Sequence, residues 1–187
     1  MKPLIICAHY DDEVIGCSSI LQLNPVVLVV CGHNNRREQS YKIEQDLGIK
    51  YIRMDYEYFE LKNLNQDVII DSIKNKLNFD FSCVFTHSSK DLHSDHKIIS
   101  NAVDVITRSN RSNIRMLCHF YTEHDLDYNY FVKLDYNYKL KMLDYYKDII
   151  NPDHLSTIIS NNNHYGIKNK LEFCEPFEMK YMKVYGN

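Results

Sequence analysis

The sequence has no excess of one charge, no basic stripe and no long apolar run, and each absence excludes a class of protein. Of its 187 residues, 22 are Lys or Arg and 25 are Asp or Glu, with the two signs interspersed. A nucleic-acid-binding protein usually concentrates its basic residues on one stripe or patch. No apolar stretch approaches the roughly 20 residues that span a bilayer. We therefore expect neither a nucleic acid nor a membrane as partner.

The sequence also lacks a signal peptide and paired cysteines. The apolar run of residues 3–8 stops at His9, where acidic residues follow, so it does not resemble a secretory signal. None of the six cysteines forms a C-x-x-C pair, which argues against a cysteine zinc site. Most of them lie in apolar runs and are expected to be small buried residues. We therefore expect a soluble protein of a reducing compartment, most simply the cytoplasm.

Short apolar runs alternate with helical patterns along the chain, without an internal repeat. The hydrophobic content of 44% is enough for one sizeable core, and we expect a single domain over residues 1–187. The predicted strands are residues 4–7, 26–31, 51–54, 83–86 and 116–121. The predicted helices are residues 13–23, 36–47, 67–77, a segment after His96, and 138–149, the last ending near Pro152. This alternation predicts an α/β fold, Rossmann-like, with a mostly parallel sheet flanked by helices.

The first polar group of interest is His9-Tyr10-Asp11-Asp12-Glu13, directly after the first predicted strand. Parallel sheets bind ligands at the carboxyl ends of their strands, so this position is informative. One or two of the acids could simply cap the next helix, where the helix dipole favours negative charge. Capping does not account for a histidine with three consecutive acids, which repel one another unless a cation is present.

The second group is Asp91-Leu92-His93-Ser94-Asp95-His96, after the predicted strand at residues 83–86. Here too Ser94 or Asp95 could cap the helix that follows. Two such groups at the ends of two separate strands are harder to explain by capping. Imidazole and carboxylate together suit zinc or another divalent transition metal.

The two groups resemble the A-H-P-D-D-E and H-x-D-H signatures of the PIG-L/LmbE family of zinc-dependent N-acetylglucosaminyl deacetylases. Either motif alone would be a weak signal, but together, in this order and each after a strand, they are specific. The resemblance extends to other segments: Arg36-Arg37-Glu38, Leu47-Gly48-Ile49, Val84-Phe85-Thr86-His87 and Glu175-Pro176-Phe177.

The resemblance implies a role for each matching residue. The metal ligands would be His9, Asp12 and His96, and the cofactor Zn²⁺ or another divalent transition metal. Asp11 matches the general base that activates water. His93 matches the residue that stabilises the oxyanion or protonates the leaving amine, and Asp95 would orient His93. Three protein ligands leave positions open for water and substrate, which makes these roles chemically consistent.

The sequence departs from the family pattern around the first motif. Tyr10 stands where the family has proline, and residues 16–19 replace a more glycine-rich stretch. Gln39 stands where a glutamate is common in the family, so the resemblance does not decide whether Arg36 or Glu38 contacts the substrate.

Other residues are candidates for contacting the substrate. Arg36, His87 and Asp91 are the predicted substrate-binding residues, and His33 is a weaker candidate after the second strand. The tyrosines of the C-terminal third are expected mainly to pack, although one or two could stack on a sugar ring.

The function that these residues favour is hydrolysis of an N-acyl amino sugar, most simply N-acetyl, in a small glycoside or a sugar nucleotide. One alternative is a related small-amide hydrolase, such as an N-formyl sugar deformylase, and another is a non-catalytic metal-binding module, which would not need Asp11. Phosphoester hydrolysis is weaker, because it would require more bridging carboxylates and a basic clamp. The partner would be a small molecule, and a homo-oligomer is compatible with the sequence.

Overall fold

Seven strands and six helices make up the part of the chain that the computed structural model describes, residues 2–32, 34–77, 81–108, 113–122 and 127–183. The strands are β1 (Leu4–Cys7), β2 (Val26–Cys31), β3 (Lys50–Tyr56), β4 (Cys83–His87), β5 (Met116–Phe120), β6 (Tyr130–Lys133) and β7 (Cys174–Met182). The helices are α1 (Asp12–Leu21), α2 (Asn34–Leu47), α3 (Gln66–Lys76), α4 (Ser94–Arg108), α5 (Tyr136–Asp144) and α6 (Pro152–Lys168), with a short 3₁₀ helix at Leu61–Asn63.

The strands form one sheet in the order β3-β2-β1-β4-β5-β7-β6. The first five pair in parallel, and β7 runs antiparallel to both β5 and β6. The predicted α/β class with a mostly parallel sheet is therefore confirmed. The chain moves outward from β1 through β2 to β3 and then returns to β4 on the other side of β1. This reversal is the switch point at which open α/β sheets bind ligands.

The central strands are buried on both faces. In β1, Ile5 and Cys7 contribute to one apolar cluster, and Leu4 and Ile6 contribute to a second one. Successive side chains of a strand point to opposite faces, so an unbroken apolar run belongs to a strand covered on both sides. The same alternation in β2 explains why both strand predictions matched the observed bounds.

Two helices follow the predicted patterns closely. Helix α2 ends at Leu47, and Gly48 follows with a φ of 68°, the left-handed conformation that ends many helices. Helix α4 buries Ile99, Ala102 and Val103 against the second cluster. Their spacing of three and four residues places them on one face of the helix.

The C-terminal third differs from the sequence prediction. A single helix over residues 138–149 was predicted, but α5 ends at Asp144 and a second helix, α6, begins at Pro152. The proline starts the helix because its missing N–H is not needed in the first turn, and Asn151 caps that turn by accepting from the Asp153 amide. Strands β6 and β7 were not predicted.

Helix α1 is broken at Cys17, where φ is −137° and ψ is 22°. A buried ion pair satisfies the backbone groups that the break frees. The Lys139 ammonium donates to the carbonyls of Val14 and Ile15, and the Glu175 carboxylate accepts from the amides of Ser18 and Ser19. Nζ of Lys139 and Oε1 of Glu175 are 2.6 Å apart. This pair anchors the helix that follows the first motif to α5 and β7.

Among the described residues, none of the helices combines the length and the apolar character that crossing a bilayer requires.

Candidate metal centre

The two sequence motifs meet at the switch point of the sheet. Strands β1 and β4 pair in parallel with Leu4 opposite Val84, so their carboxyl ends lie at the same edge. The first motif leaves β1 there and leads into α1, and the second leads from β4 into α4. Although residues 9 and 96 are far apart in sequence, their imidazole rings are 5.2 Å apart between centroids.

The three predicted ligands present one atom each to a common point. Nδ1 of His9 lies 3.6 Å from Oδ2 of Asp12, Nε2 of His96 lies 3.5 Å from the same oxygen, and the two nitrogens are 3.3 Å apart. Three atoms that each lie 2.0–2.1 Å from one zinc ion in a tetrahedral arrangement are about 3.3–3.4 Å from one another. The three residues therefore fit a divalent ion, although the assignment itself stays a prediction.

Each histidine of this group has a carboxylate on its other ring nitrogen. Oδ2 of Asp95 lies 3.2 Å from Nε2 of His9, and Oδ2 of Asp91 lies 3.0 Å from Nδ1 of His96. Metal-binding histidines are commonly paired in this way, because the carboxylate fixes the ring and makes the opposite nitrogen a better donor to the metal. The sequence assigned Asp95 to His93, but the carboxylate contacts His9, and Asp95 contacts His93 through its backbone amide.

His87 and Asp91 lie beneath the ligands and not in the cleft. Both are fully buried, and His87 stacks on His96 with ring centroids 3.8 Å apart. Nε2 of His87 accepts a hydrogen bond from the Ala8 amide, so this nitrogen is not protonated. Neither residue lines the cleft, so their contact with substrate stays a prediction, and in this structure both lie against His96.

The ionisable groups of this cluster shift the pKa values of their neighbours. Burial opposes the ionisation of Asp12, but the adjacent His96 holds its pKa well below the usual value. Burial also disfavours the charged form of His96, yet Asp12 and Asp91 raise its pKa to about 10.

Asp11 is adjacent to Asp12 but faces a different environment. Its φ of 112° is unusual for a residue other than glycine, and its side chain makes no helix-capping hydrogen bond. Instead Oδ2 of Asp11 accepts from Nη1 of Arg36 at 2.7 Å. Burial and the neighbouring charge of Asp12 raise the pKa of Asp11 well above its ordinary value. The carboxylate is thus directed towards the cleft, which Asp11 and Arg36 both line.

His93 caps the N-terminus of α4. Its Nδ1 accepts from the Asp95 amide at 3.2 Å, and its own amide donates to Oδ1 of Asp91. A nitrogen that accepts carries no proton, so the proton of neutral His93 is on Nε2. Burial and the nearby His9 lower the pKa of His93, which favours this neutral form. The ring lines the cleft beside His9 and His96.

Two overlapping sets of described residues could each hold a metal: His9 with His93 and His96, and Asp12 with His87 and His96. His87 is a poor ligand, because its Nε2 already accepts a hydrogen bond. The combination of His9, Asp12 and His96 draws on both sets and leaves His93 available beside them.

Glu13 supports the first motif from below. It is fully buried, and its carboxylate accepts from the Asp11 amide, the Tyr51 hydroxyl and the Tyr146 hydroxyl. Burial raises the pKa of Glu13 to about 7. Tyr51 and Tyr146 are therefore packing residues that hold the turn, consistent with the expectation for most of the late tyrosines.

The cleft above these residues has a volume of about 250 Å³. Its walls include two residues that sequence reasoning did not select, Tyr58 and His154. Tyr58 stacks on His9 with centroids 4.4 Å apart and planes inclined by 9°. No sequence motif marks either residue: Tyr58 follows β3, and His154 lies in the first turn of α6. His33 lies outside the described residues.

No protein-family model and no curated protein sequence matches this chain. Solved structures do match it over almost its whole length. The conserved protein TT1542 from Thermus thermophilus has a TM-score of 0.78 and 16% identity, covering 100% of this chain and 98% of that chain. The N,N'-diacetylchitobiose deacetylase from Pyrococcus horikoshii has a TM-score of 0.72 and 17% identity, covering 96% and 84%.

A third match shows that this fold hosts more than one chemistry. GalB, the 4-carboxy-2-hydroxymuconate hydratase from Pseudomonas putida, has a TM-score of 0.74 and 13% identity, covering 100% of this chain and 99% of that chain. At such identities the likeness establishes the fold, and function has to be argued from the site.

Proposed function

We propose that this chain is a metal-dependent N-deacetylase of the PIG-L/LmbE type, which hydrolyses the N-acyl group of an amino sugar. The observation that carries the proposal is the convergence of His9 Nδ1, Asp12 Oδ2 and His96 Nε2 within 3.3–3.6 Å of one another. The likeness in fold to a structure described as a deacetylase supports it. The two motifs alone could not exclude a helix-capping role, whereas this convergence does not follow from capping.

A divalent ion held by these three residues, which we take to be Zn²⁺, would act as a Lewis acid on the amide carbonyl and acidify water. Asp11 takes the proton from the attacking water and returns it to the leaving amine as the C–N bond breaks. The Asp11 carboxylate lines the cleft next to Asp12, where a base that takes this proton has to lie. The Arg36 guanidinium holds the Asp11 carboxylate in place and favours its ionised form. We therefore treat Arg36 as a positioning residue at the edge of the substrate cleft.

His93 donates a hydrogen bond from Nε2 to the oxyanion that develops at the carbonyl oxygen of the amide. The sequence left open whether this residue stabilises the oxyanion or protonates the amine. Since Nδ1 accepts from the Asp95 amide, an imidazolium would lose that hydrogen bond, and the neutral donor is the favoured form. Donors placed in advance of the reaction stabilise the transition state without reorganisation.

We also retain the cytoplasm as the proposed location, because all six cysteines are unpaired and five of them are buried.

The test is a screen of zinc-loaded protein against N-acetylglucosamine, its N-formyl analogue and N,N'-diacetylchitobiose. We expect one free amine and one carboxylate for each amide hydrolysed, with no reaction after chelation. Preference for the N-formyl compound would favour the deformylase alternative. The absence of amine release from every N-acyl sugar, with the metal shown to be bound, would contradict the proposal.

A further inference from the structure

The turn between β3 and the 3₁₀ helix places an aromatic ring on His93. Phe59 stacks on the His93 imidazole with ring centroids 5.1 Å apart and planes inclined by 18°. Two hydrogen bonds hold this turn closed: the Glu60 amide donates to the Glu57 carbonyl at 3.1 Å, and the Glu60 carboxylate accepts from the Glu57 amide at 2.7 Å. The ring therefore lies on His93 from a defined backbone.

The backbone of Phe59 contacts the same cluster. Its amide donates to Oδ2 of Asp95 at 3.0 Å, and the same oxygen lies 3.2 Å from Nε2 of His9. The Asp95 amide in turn donates to Nδ1 of His93. Phe59 is thus connected to His93 twice, directly through its ring and indirectly through Asp95.

Phe59 has a backbone conformation that a bulky residue rarely adopts. Its φ is 61°, and the residue is 48% exposed. A left-handed conformation is unfavourable for a residue with a large side chain, whereas glycine or asparagine adopts it readily. A half-exposed ring also gains less from burial than a phenylalanine of the core. Neither the turn nor the core therefore accounts for a phenylalanine here, and the stacked contact of its ring is with His93.

The His93 ring needs support in a direction that its hydrogen bond does not supply. The hydrogen bond from the Asp95 amide fixes Nδ1, but the imidazole can still tilt about that point. The Phe59 ring restrains the plane from one face, and His9 meets the imidazole edge-on with centroids 4.7 Å apart. A donor to an oxyanion is effective when its position is fixed before the reaction. The stack supplies that restraint.

Resting on the proposed function, we propose that Phe59 is a positioning residue, which holds the plane of His93 so that Nε2 points to the developing oxyanion. Phe59 acts through His93 and does not itself touch the reacting amide. Its loss should therefore lower turnover without weakening the binding of metal or substrate.

The first test is Phe59→Asn, which removes the ring and keeps the turn, because asparagine adopts a positive φ and its amide can still donate to Asp95. The substrates are N-acetylglucosamine and N,N'-diacetylchitobiose, with the zinc-loaded full chain. We expect kcat to fall about two- to tenfold, the factor that corresponds to one aromatic pair. KM and bound metal should stay as in the parent. Phe59→Tyr keeps the ring and should retain most of kcat.

Tyr136→Asn is the matched control. Tyr136 is 47% exposed, almost the same as Phe59, but it begins α5 and does not line the metal cleft. Its loss removes an equally exposed aromatic ring, so kcat and KM should both stay as in the parent.

A double variant shows whether Phe59 acts through His93. His93→Ala alone should lower kcat about 10²–10³-fold, as the loss of one oxyanion donor does. Adding Phe59→Asn to His93→Ala should then cost nothing further, because the group that Phe59 positions is already gone. An equal loss in the two backgrounds would overturn the positioning role, and so would an unchanged kcat in Phe59→Asn or an equal fall in Tyr136→Asn.

Nitrogen NMR of the His93 ring gives a reading that does not depend on turnover. The parent and Phe59→Tyr should show one tautomer with the proton on Nε2. Phe59→Asn should show averaging of the two tautomers, since a tilting ring loses the hydrogen bond to Nδ1. A single unchanged tautomer in Phe59→Asn would overturn the positioning role while leaving the deacetylase in place. If the parent releases no amine, the proposed function fails, and the tautomer reading still decides whether Phe59 positions His93.

Discussion

Asp11 and Asp12 are adjacent in sequence, yet the structure gives them opposite electrostatic environments. Burial raises the pKa of both carboxyls, but the adjacent His96 reverses the effect at Asp12, whereas the charge of Asp12 adds to it at Asp11. Neighbouring carboxyl groups whose environments separate their pKa values can take different roles in one reaction. In the proposed function the pair therefore divides into a metal ligand, Asp12, and a base, Asp11.

The first prediction separates these two roles. Asp11→Asn retains the size of the side chain and tolerates the positive φ at this position, because asparagine is among the residues that adopt it most readily. It cannot accept a proton at neutral pH. We expect the variant to bind metal as the parent does and to lose about 10²–10⁴-fold in kcat. Measured turnover close to that of the parent would show that another group is the base.

The second prediction concerns the ligands. His9→Ala, Asp12→Ala and His96→Ala should each lower the bound metal from about one ion per chain and lower activity in parallel, since each removes one of three ligands. Elemental analysis after dialysis measures the metal. His164→Ala is the control, because His164 is exposed on α6. Full metal occupancy in all three ligand variants would refute the assignment.

At the scale of residues, the sequence predicted which residues form the candidate site better than it predicted which of them contact one another. His9, Asp12 and His96 converge as expected, because each follows a strand that ends at the same edge. The partners of Asp95 and the burial of His87 and Asp91 depend on ring orientations, which no spacing in the sequence encodes. Tyr58 and His154 come from segments without a motif and reach the cleft only through tertiary packing.

At the scale of elements, the broken helix α1 depends on one buried ion pair. Removing one partner of such a pair leaves an uncompensated buried charge, which typically costs about 3–5 kcal/mol. Lys139→Met should therefore lower the free energy of unfolding in urea by roughly that amount. It also removes the ammonium donor from the Ile15 carbonyl and leaves the Val14 carbonyl with the Ser18 hydroxyl as its side-chain donor.

The matched control lies on the same helix. Lys141 is exposed on α5, and Lys141→Met should change the stability by less than about 0.5 kcal/mol. Adding Glu175→Gln to Lys139→Met should recover part of the loss, because the buried charge is gone while the amide oxygen still accepts from a backbone N–H. Equal effects of the two lysine variants would show that the ion pair contributes little.

Element predictions succeeded where local pattern and tertiary environment agreed. β1 and β2 are continuous apolar runs buried on both faces, so the local pattern was enough to predict their limits. β6 and β7 were not predicted, because polar and apolar residues alternate less clearly in them. Glu175, Glu178 and Lys180 lie within β7. Glu175 is buried there only because Lys139 and the α1 amides are opposite it, a pairing that no local rule reveals.

At the scale of the molecule, the metal centre joins segments that are separate in the chain. The predicted ligands His9, Asp12 and His96 follow β1 and β4, and residues 149–151 and His154 line the cleft from the segment that leads into α6. The unfolded chain does not bring these residues together, so we expect metal binding at this site to be linked to folding. The fold class was predictable, because the alternation of strands and helices determines it. The wall of the cleft that residues 149–151 and His154 form was not predictable from the sequence.

The last prediction follows from this linkage. A ligand that binds only the folded state stabilises it by about 2.7 kcal/mol at one hundred times its dissociation constant. For a chain of 187 residues this corresponds to a rise of roughly 5–10 °C in the midpoint of thermal unfolding. Zinc should therefore raise the midpoint of the parent protein, and chelation should reverse the rise.

The six cysteines of the unfolded chain also bind zinc and reduce the effect. His9→Ala carries the same cysteines, so the difference between parent and variant isolates the folded site. An equal rise in His9→Ala would place the stabilising metal elsewhere in the protein, and His164→Ala should respond as the parent does.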